Sequence, residues 1–337
     1  MASGCFGALK SLDLCLVISP EQTIPPFPLE AYSRFHALAI APRLRSVIVR
    51  LHDNLHPLAL RLPWGQLTFL DLVTTAMFPE SLLTIFRICA PRLQSGYFYI
   101  KFDKPIVPGL PLSNGSITMW ALRSLRLKLL YPDADGRLFS ILQFPSLQNI
   151  WIELHNSFQE WNLILYTNLL RASSNSLRLL MLSDFIPNVE GQIQGNDNHL
   201  ILRRPHDTPY HATAIEGLFQ VASNIEALYL PVGLHVDGTT LDKIACCILL
   251  PRLRMLELGA INAWHVISSV RRRHQNVLTS TNGHSRITRI QMLVPENMYH
   301  GIEKTALDAE VRALNFLDIT FQIKPTCILP LPPVVHG

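Results

Sequence analysis

Charge is scarce in this chain. Only 16% of its 337 residues are Asp, Glu, Lys or Arg, against roughly 25% in an average soluble domain. The 29 basic and 25 acidic side chains leave a net charge of +4, too mild to point to phosphate binding. Long apolar runs are missing too: the longest, Ile244 to Leu250, has seven residues, where a membrane-spanning helix needs about 20. No basic segment precedes the apolar stretch near the start, and Lys10 and Asp13 interrupt it, which argues against a signal peptide and leads to an expected cytoplasmic or nuclear location. Six cysteines (Cys5, Cys15, Cys89, Cys246, Cys247, Cys327) form no C-x-x-C pair, so neither a disulfide framework nor a zinc knuckle is expected. A phosphate-cradling glycine loop, a nucleophile elbow, paired catalytic carboxylates and H-E-x-x-H are also lacking. The expectation is a chain that is not an enzyme and needs no cofactor.

Leucine is what the chain has in abundance, at 56 positions. The pattern L-x-x-L-x-L, with Ile, Val or Met variants, begins at Leu9, Leu44, Leu67, Leu122, Leu147, Leu177, Ile225, Leu253, Ile287 and, more weakly, Leu314, with a degenerate copy at Leu93 (RLQSGYF). Successive starts lie 23 to 48 residues apart, a period of about 30 that is typical of leucine-rich repeats. Within each hexad the apolar residues alternate, so they face one side of a short strand. Such a strand buries its apolar side only by stacking on its neighbours. The expected fold is α/β: a leucine-rich repeat solenoid, or horseshoe, with an inner parallel sheet, outer helices and about 10–11 irregular repeats over residues 1–324. A surface insertion is expected at about 187–212, where a degenerate repeat at 199–202 is an alternative, and a proline-rich tail at 325–337.

Helical spacing occurs at 79–90, 162–172, 239–250, 263–275 and 305–314. Pro79 suits a first helical turn, and Thr239 with Asp242 reads as a capping box. The Asn or Cys usual three residues after the third leucine is replaced by Val17, Thr75, Leu130, His155 and Phe185, so no regular asparagine ladder is expected.

The segments LPWGQLTFLDL (62–72), PSLQNIWIEL (145–154) and TTLDKIACCILLPRLRMLELG (239–259) resemble the leucine-rich region of the F-box proteins of mushroom-forming (basidiomycete) fungi. The resemblance implies a substrate receptor of an SCF-type ubiquitin ligase, in which an N-terminal F-box docks the adaptor subunit and the repeats hold the target. With the first hexad at Leu9, eight residues precede it; the F-box itself is expected to be missing, and an SCF adaptor is a partner only if one lies upstream. The apolar edge beneath Leu12, Leu14 and Leu16 is then expected to face solvent, making the chain poorly soluble unless a partner covers it. The alternative is an orphan leucine-rich repeat scaffold or decoy with no link to ubiquitin.

Residues alternating with the core leucines project from the inner sheet. In the middle of the chain they are Phe69, Asp71, Tyr97, Tyr99, Arg126, Lys128, Trp151, Glu153 and Tyr229, aromatics flanked by charges, as interaction hot spots are. A target protein is the expected partner on this face; membrane is not expected, nor nucleic acid. Two histidine groups, His52 and His56 around Asp53, and His206, Asp207 and His211, have no third ligand at a telling distance. Arg271, Arg272 and Arg273 with His274 suit the end of a helix. Cys246 and Cys247 read as packing residues, Asn114-Gly115-Ser116 as a turn, and 325–333 as a closing proline-rich end.

Overall fold

The computed structural model describes residues 6–16, 36–51, 56–102, 115–130, 136–154, 161–184, 209–231, 234, 236–259, 262–279, 283–295 and 304–326. The chain is α/β and divides into two compact units, Met1–Leu154 with Asn168–Ser176, and His155–Thr167 with Leu177–Gly337.

Six strands in the first unit pair in parallel, in chain order: β1 (Ser11–Leu16), β2 (Ser46–Leu51), β3 (Phe69–Met77), β4 (Ser95–Lys101), β6 (Ser124–Leu130) and β8 (Asn149–Leu154). Between them run helices α1 (His36–Ala39), α2 (Pro79–Cys89) and α3 (Arg137–Ser140). Two short strands, β5 (Ile117–Thr118) and β7 (Leu142–Gln143), form a parallel pair of their own. Helix α4 (Leu163–Arg171) follows β8 in the chain. The second unit pairs β9 (Leu179–Asp184), β10 (Ala227–Tyr229), β11 (Met255–Gly259), β12 (Arg289–Pro295) and β13 (Thr320–Thr326), also parallel and in chain order. Its helices are α5 (Pro209–Val221), α6 (Gly238–Ala245), α7 (Ala263–Thr279) and α8 (Lys304–Asn315).

In ten of the eleven hexads a strand starts two residues after the first apolar position: Leu9 leads to Ser11, Leu44 to Ser46, and so on to Ile287 and Arg289. From Leu44 to Ile287 these first positions are buried, and so are the residues three and five places on, all of them apolar side chains except Gly96. Burial of this kind is worth about 1.5–3 kcal/mol per large side chain, which explains why the pattern locates the strands. Eight of the strands are fixed at the lead-in by one shared carbonyl. Lys10 O accepts from Arg45 N at 2.9 Å and Ser46 N at 3.2 Å, and the arrangement recurs at Arg45, Thr68, Gln94 and Arg123. In the second unit Arg178, Glu226 and Arg254 do the same. Four lead-in turns carry a proline two residues before the first apolar position, at Pro42, Pro91, Pro145 and Pro251, where a helix cannot continue and no N–H is needed.

The structure corrects several expectations. The weak hexad at Leu314 is not a strand: Leu314 lies buried in α8, Phe316 is 90% exposed, Asp318 turns the chain at φ 59°, and the strand begins at Thr320 with Phe321 as its first core residue. Leu314 is spaced one heptad from the buried Leu307, and the helix claims it. Helix α6 ends at Ala245 rather than Leu250, because Cys247 (φ 59°) and Leu250 (φ 50°) turn left-handed. Its cap is Asp237, whose carboxylate accepts from Thr240 N at 2.6 Å; Thr239 donates its hydroxyl to Asp237 and is not the cap. The end of the anticipated insertion opens helix α5, with Pro209 at its first position; residues 187–208, the alternative repeat at 199–202 and the tail beyond Thr326 lie outside the described residues. Thr75 does the work of a ladder asparagine at one position, accepting from Leu51 N at 3.0 Å and donating to Val49 O at 3.4 Å. Val17, His155 and Phe185 are outside the described residues.

Candidate functional site

Eight of the nine side chains expected on the sheet surface lie in the first unit, on the face opposite the core leucines. Strand register arranges them in rows. Asp71, Tyr97, Arg126 and Trp151 are consecutive partners across β3, β4, β6 and β8. Tyr99, Lys128 and Glu153 form the next row across β4, β6 and β8. Phe69 stands one row before, where its partners are Ser46 and Ser95.

These side chains hold one another. The Arg126 guanidinium lies 3.9 Å from the Trp151 ring centroid and donates to Glu153 Oε2 at 2.9 Å. Glu153 is itself buried, at 5% exposure. The Lys128 ammonium sits 4.7 Å from the centre of the Tyr99 ring, a distance at which the ring quadrupole attracts a cation. Burial pushes Lys128 below its ordinary pKa; Glu153 opposes that shift and Arg126 adds to it. Phe69 and Tyr97 meet edge to face at 5.4 Å. Asp71 accepts from Val73 N at 3.0 Å, which orients its carboxylate. Except for Glu153, all eight are half-buried, so each ring keeps part of its surface in water while its neighbours restrain it. Such a surface suits contact: rigid aromatic area with cations beside it, at low cost in lost side-chain freedom.

Tyr229, the ninth residue, belongs to the second unit, where its row reads Met181, Tyr229, Glu257, Gln291 and Gln322. Gln291 Nε2 donates to Glu257 Oε2 at 2.7 Å. Burial raises the Glu257 carboxyl above its usual range, against Lys324 and Arg289. The Tyr229 phenol is raised by burial too, with Arg289 opposing and Glu257 adding. Glu257 and Gln291 were not among the expected residues, although both sit at alternating strand positions that the hexad pattern marks.

Other candidates resolve into packing. His56 Nδ1 accepts from Leu58 N at 3.2 Å and its Nε2 lies 2.5 Å from Ser81 Oγ, so it caps the turn Pro57–Ala59. His52, Asp53, His206 and Asp207 lie outside the described residues, as does the side chain of His211. Among the described residues no three of His, Cys, Asp and Glu converge as metal ligands would, and no helix is long and apolar enough to cross a membrane.

The three consecutive arginines, expected at the end of a helix, lie inside α7, which runs on to Thr279. Arg271 pairs with Glu310, and Arg272 with Asp242 at 3.0 Å. Arg273 is 1% exposed and donates to five carbonyls, those of Ile244 (2.7 Å), Leu250 (2.9 Å), Pro251 (3.1 Å), Ser285 (3.2 Å) and Leu253 (3.5 Å). It is also the electropositive neighbour of Cys247 that the sequence did not reveal. Burial outweighs it, and the thiol is raised above its ordinary value. Cys246 is exposed; Asn114 and Cys327 are outside the described residues. Compared with known proteins, the chain matches no family model, no curated protein and no solved structure.

Proposed function

We propose that the chain is a non-catalytic protein-binding module built of leucine-rich repeats, whose sheet face in the first unit holds a target protein. The observation that carries this reading is the two-row lattice of Asp71, Tyr97, Arg126 and Trp151 beside Tyr99, Lys128 and Glu153, in which cations and rings fix one another while staying half-exposed. The hexad period and the strand that follows each of ten hexads support the repeat assignment.

Within that reading, the resemblance to F-box proteins favours a substrate receptor of an SCF-type ubiquitin ligase, with catalysis supplied by the ligase partners. The test uses a photo-crosslinker at Tyr97 to identify the target in cells. The double variant Tyr99→Ala/Trp151→Ala is expected to lose that same target while keeping its circular dichroism spectrum. Retention of the target by a folded double variant would overturn the assignment of this face. Co-precipitation of the SCF adaptor with the native protein supports the receptor reading; target capture without the adaptor supports the scaffold or decoy reading instead.

A further inference from the structure

The lead-in edge of the first unit differs in character from its sheet face. The turns at 8–10, 41–46, 64–68, 90–95, 119–124, 144–149 and 172–176 contain no Asp or Glu, yet they carry Lys10, Arg43, Arg45, Arg92 and Arg123. Every described carboxylate of the unit is elsewhere: Asp13 pairs with Arg50, Asp71 with the Val73 amide, Glu153 with Arg126, and Glu80 sits in the first turn of α2. Among the described residues, the exposed side chains of Arg43, Arg92 and Arg123 meet neither a carboxylate nor a hydrogen-bond acceptor. A favourable helix dipole accounts for Arg92, which follows the end of α2. It does not account for Arg123, since β5 and a turn precede it.

Beside Arg123 the edge opens into a cleft of about 320 Å³ lined by Gln94, Trp120, Arg123, Pro145, Gln148 and Ser176, with Ala121 and Ser146 completing it. Trp120 is 69% exposed, the largest ring so exposed among the described residues. Gln94, Arg123 and Gln148 occupy the same lead-in position on β4, β6 and β8, linked by shared carbonyls, so they stand at the strand spacing of about 4.8 Å. Ser176 Oγ donates to Pro145 O and Leu147 O at 3.0 and 2.8 Å, which holds the far wall.

We propose that this edge docks an acidic segment of a partner protein, separate from the sheet-face target. Its carboxylates meet Arg43, Arg92 and Arg123, and an apolar side chain covers Trp120. The spread from β2 to β6 is three strand spacings, about 14 Å, which an extended peptide crosses in about four residues. A peptide fits better than a nucleic acid. The Gln94 and Gln148 amides offer the donor and acceptor pair that matches a peptide group, and one exposed ring with a small cleft provides no run of stacking platforms for successive bases.

The experiment measures fluorescence anisotropy of a fluorescein-labelled peptide of alternating Glu and Gly with one Leu, titrated with the full chain. Its Gln counterpart and a uridine oligonucleotide serve as competitors. The acidic peptide is expected to bind and to weaken as salt rises. Arg123→Glu should lose about tenfold in affinity or more, Trp120→Ala several-fold, and Arg312→Glu, exposed on α8 in the second unit, nothing. Thermal unfolding of each variant confirms that it folds. Equal binding of the acidic and Gln peptides, or no binding of either, overturns the proposal. Displacement of the acidic peptide by the oligonucleotide at lower concentration than by unlabelled acidic peptide also overturns it, and makes the edge a nucleic-acid surface.

Discussion

Two ion pairs of the first unit have nearly equal lengths and different surroundings. Arg126 reaches Glu153 at 2.9 Å with the carboxylate side chain 7% exposed, whereas Arg50 reaches Asp13 at 3.0 Å with both partners about half exposed (44% and 53%). Water and salt screen the second pair, so Asp13→Ala is expected to cost less than about 0.5 kcal/mol. Glu153→Ala strands Arg126, whose Nε is already buried without an acceptor, and should cost about 1–3 kcal/mol in urea unfolding. Equal costs would mean that burial does not separate them. Arg273 is the larger case. Its guanidinium satisfies the carbonyls of the left-handed turn after α6, and Arg273→Lys, which keeps the charge but loses the fork, is expected to cost about 3 kcal/mol or more by the same measurement. The sequence placed this arginine at the end of a helix and could not show that its side of α7 faces carbonyls, since the acceptors belong to the main chain of residues 244 to 285 and carry no side-chain signature. The rows of Tyr97, Arg126 and Trp151 were legible, because strand alternation alone puts them on the face away from leucine; their mutual stacking was not.

At the scale of an element, β4 explains its own irregular sequence. Its hexad RLQSGYF has Gly96 where the other strands of the unit have Leu, Ile or Val. A Cβ there would collide with the ring of Phe98 and come within 3.3 Å of Leu93 Cδ2. Phe98 fills the space of two core residues and meets Phe86 edge to face at 5.1 Å, and Phe86 in turn meets Phe144 at 6.0 Å. Gly96→Ala should therefore destabilise by about 1–3 kcal/mol, and Phe98→Leu in the same chain should recover part of the loss; an additive penalty would show that the two do not share space. Ten strands were readable from hexads because the same periodicity that defines the pattern buries its leucines. The eleventh was misplaced because Leu314 satisfies a helical period as well as a strand period, and only packing against the rest of α8 decides between them. Helix α6 was overextended for a related reason: five apolar residues run on past Ala245, but two left-handed turns intervene, and propensity gives no warning of a non-glycine residue at positive φ.

For the molecule as a whole, the core is graded at its first strand. Leu12 and Leu14 of β1 are only half-buried, while their register partners Val47 and Val49 in β2 are at 0% and 1% exposure. Val47→Ala is expected to cost about 2 kcal/mol and Leu12→Ala about half that, despite the larger side chain removed. The molecule should also lose stability on mild acidification. Burial lowers both His56 and His274 from 6.5, and for His274 Arg286 adds to the shift while Asp318 opposes it. The folded state thus binds fewer protons than the unfolded chain just below 6.5, so this stability is complete above that pH and falls away as pH drops through it. Glu257 acts in the opposite sense at lower pH, since its raised carboxyl takes up a proton before the unfolded chain does. Thermal midpoints measured from about pH 7 to pH 5 should fall for the native sequence and fall less for His274→Gln; identical slopes would remove His274 from the account.

The shared carbonyls at the strand lead-ins reach beyond register. Lys10, Arg45, Thr68, Gln94 and Arg123 present four kinds of side chain over one unchanging main-chain role. The side chains of Arg45 and Thr68 also bond main-chain carbonyls there, so spelling is uncoupled from architecture at Lys10, Gln94 and Arg123, and a display library randomised at those three positions can be selected for new specificities on a scaffold whose interior never has to be redesigned.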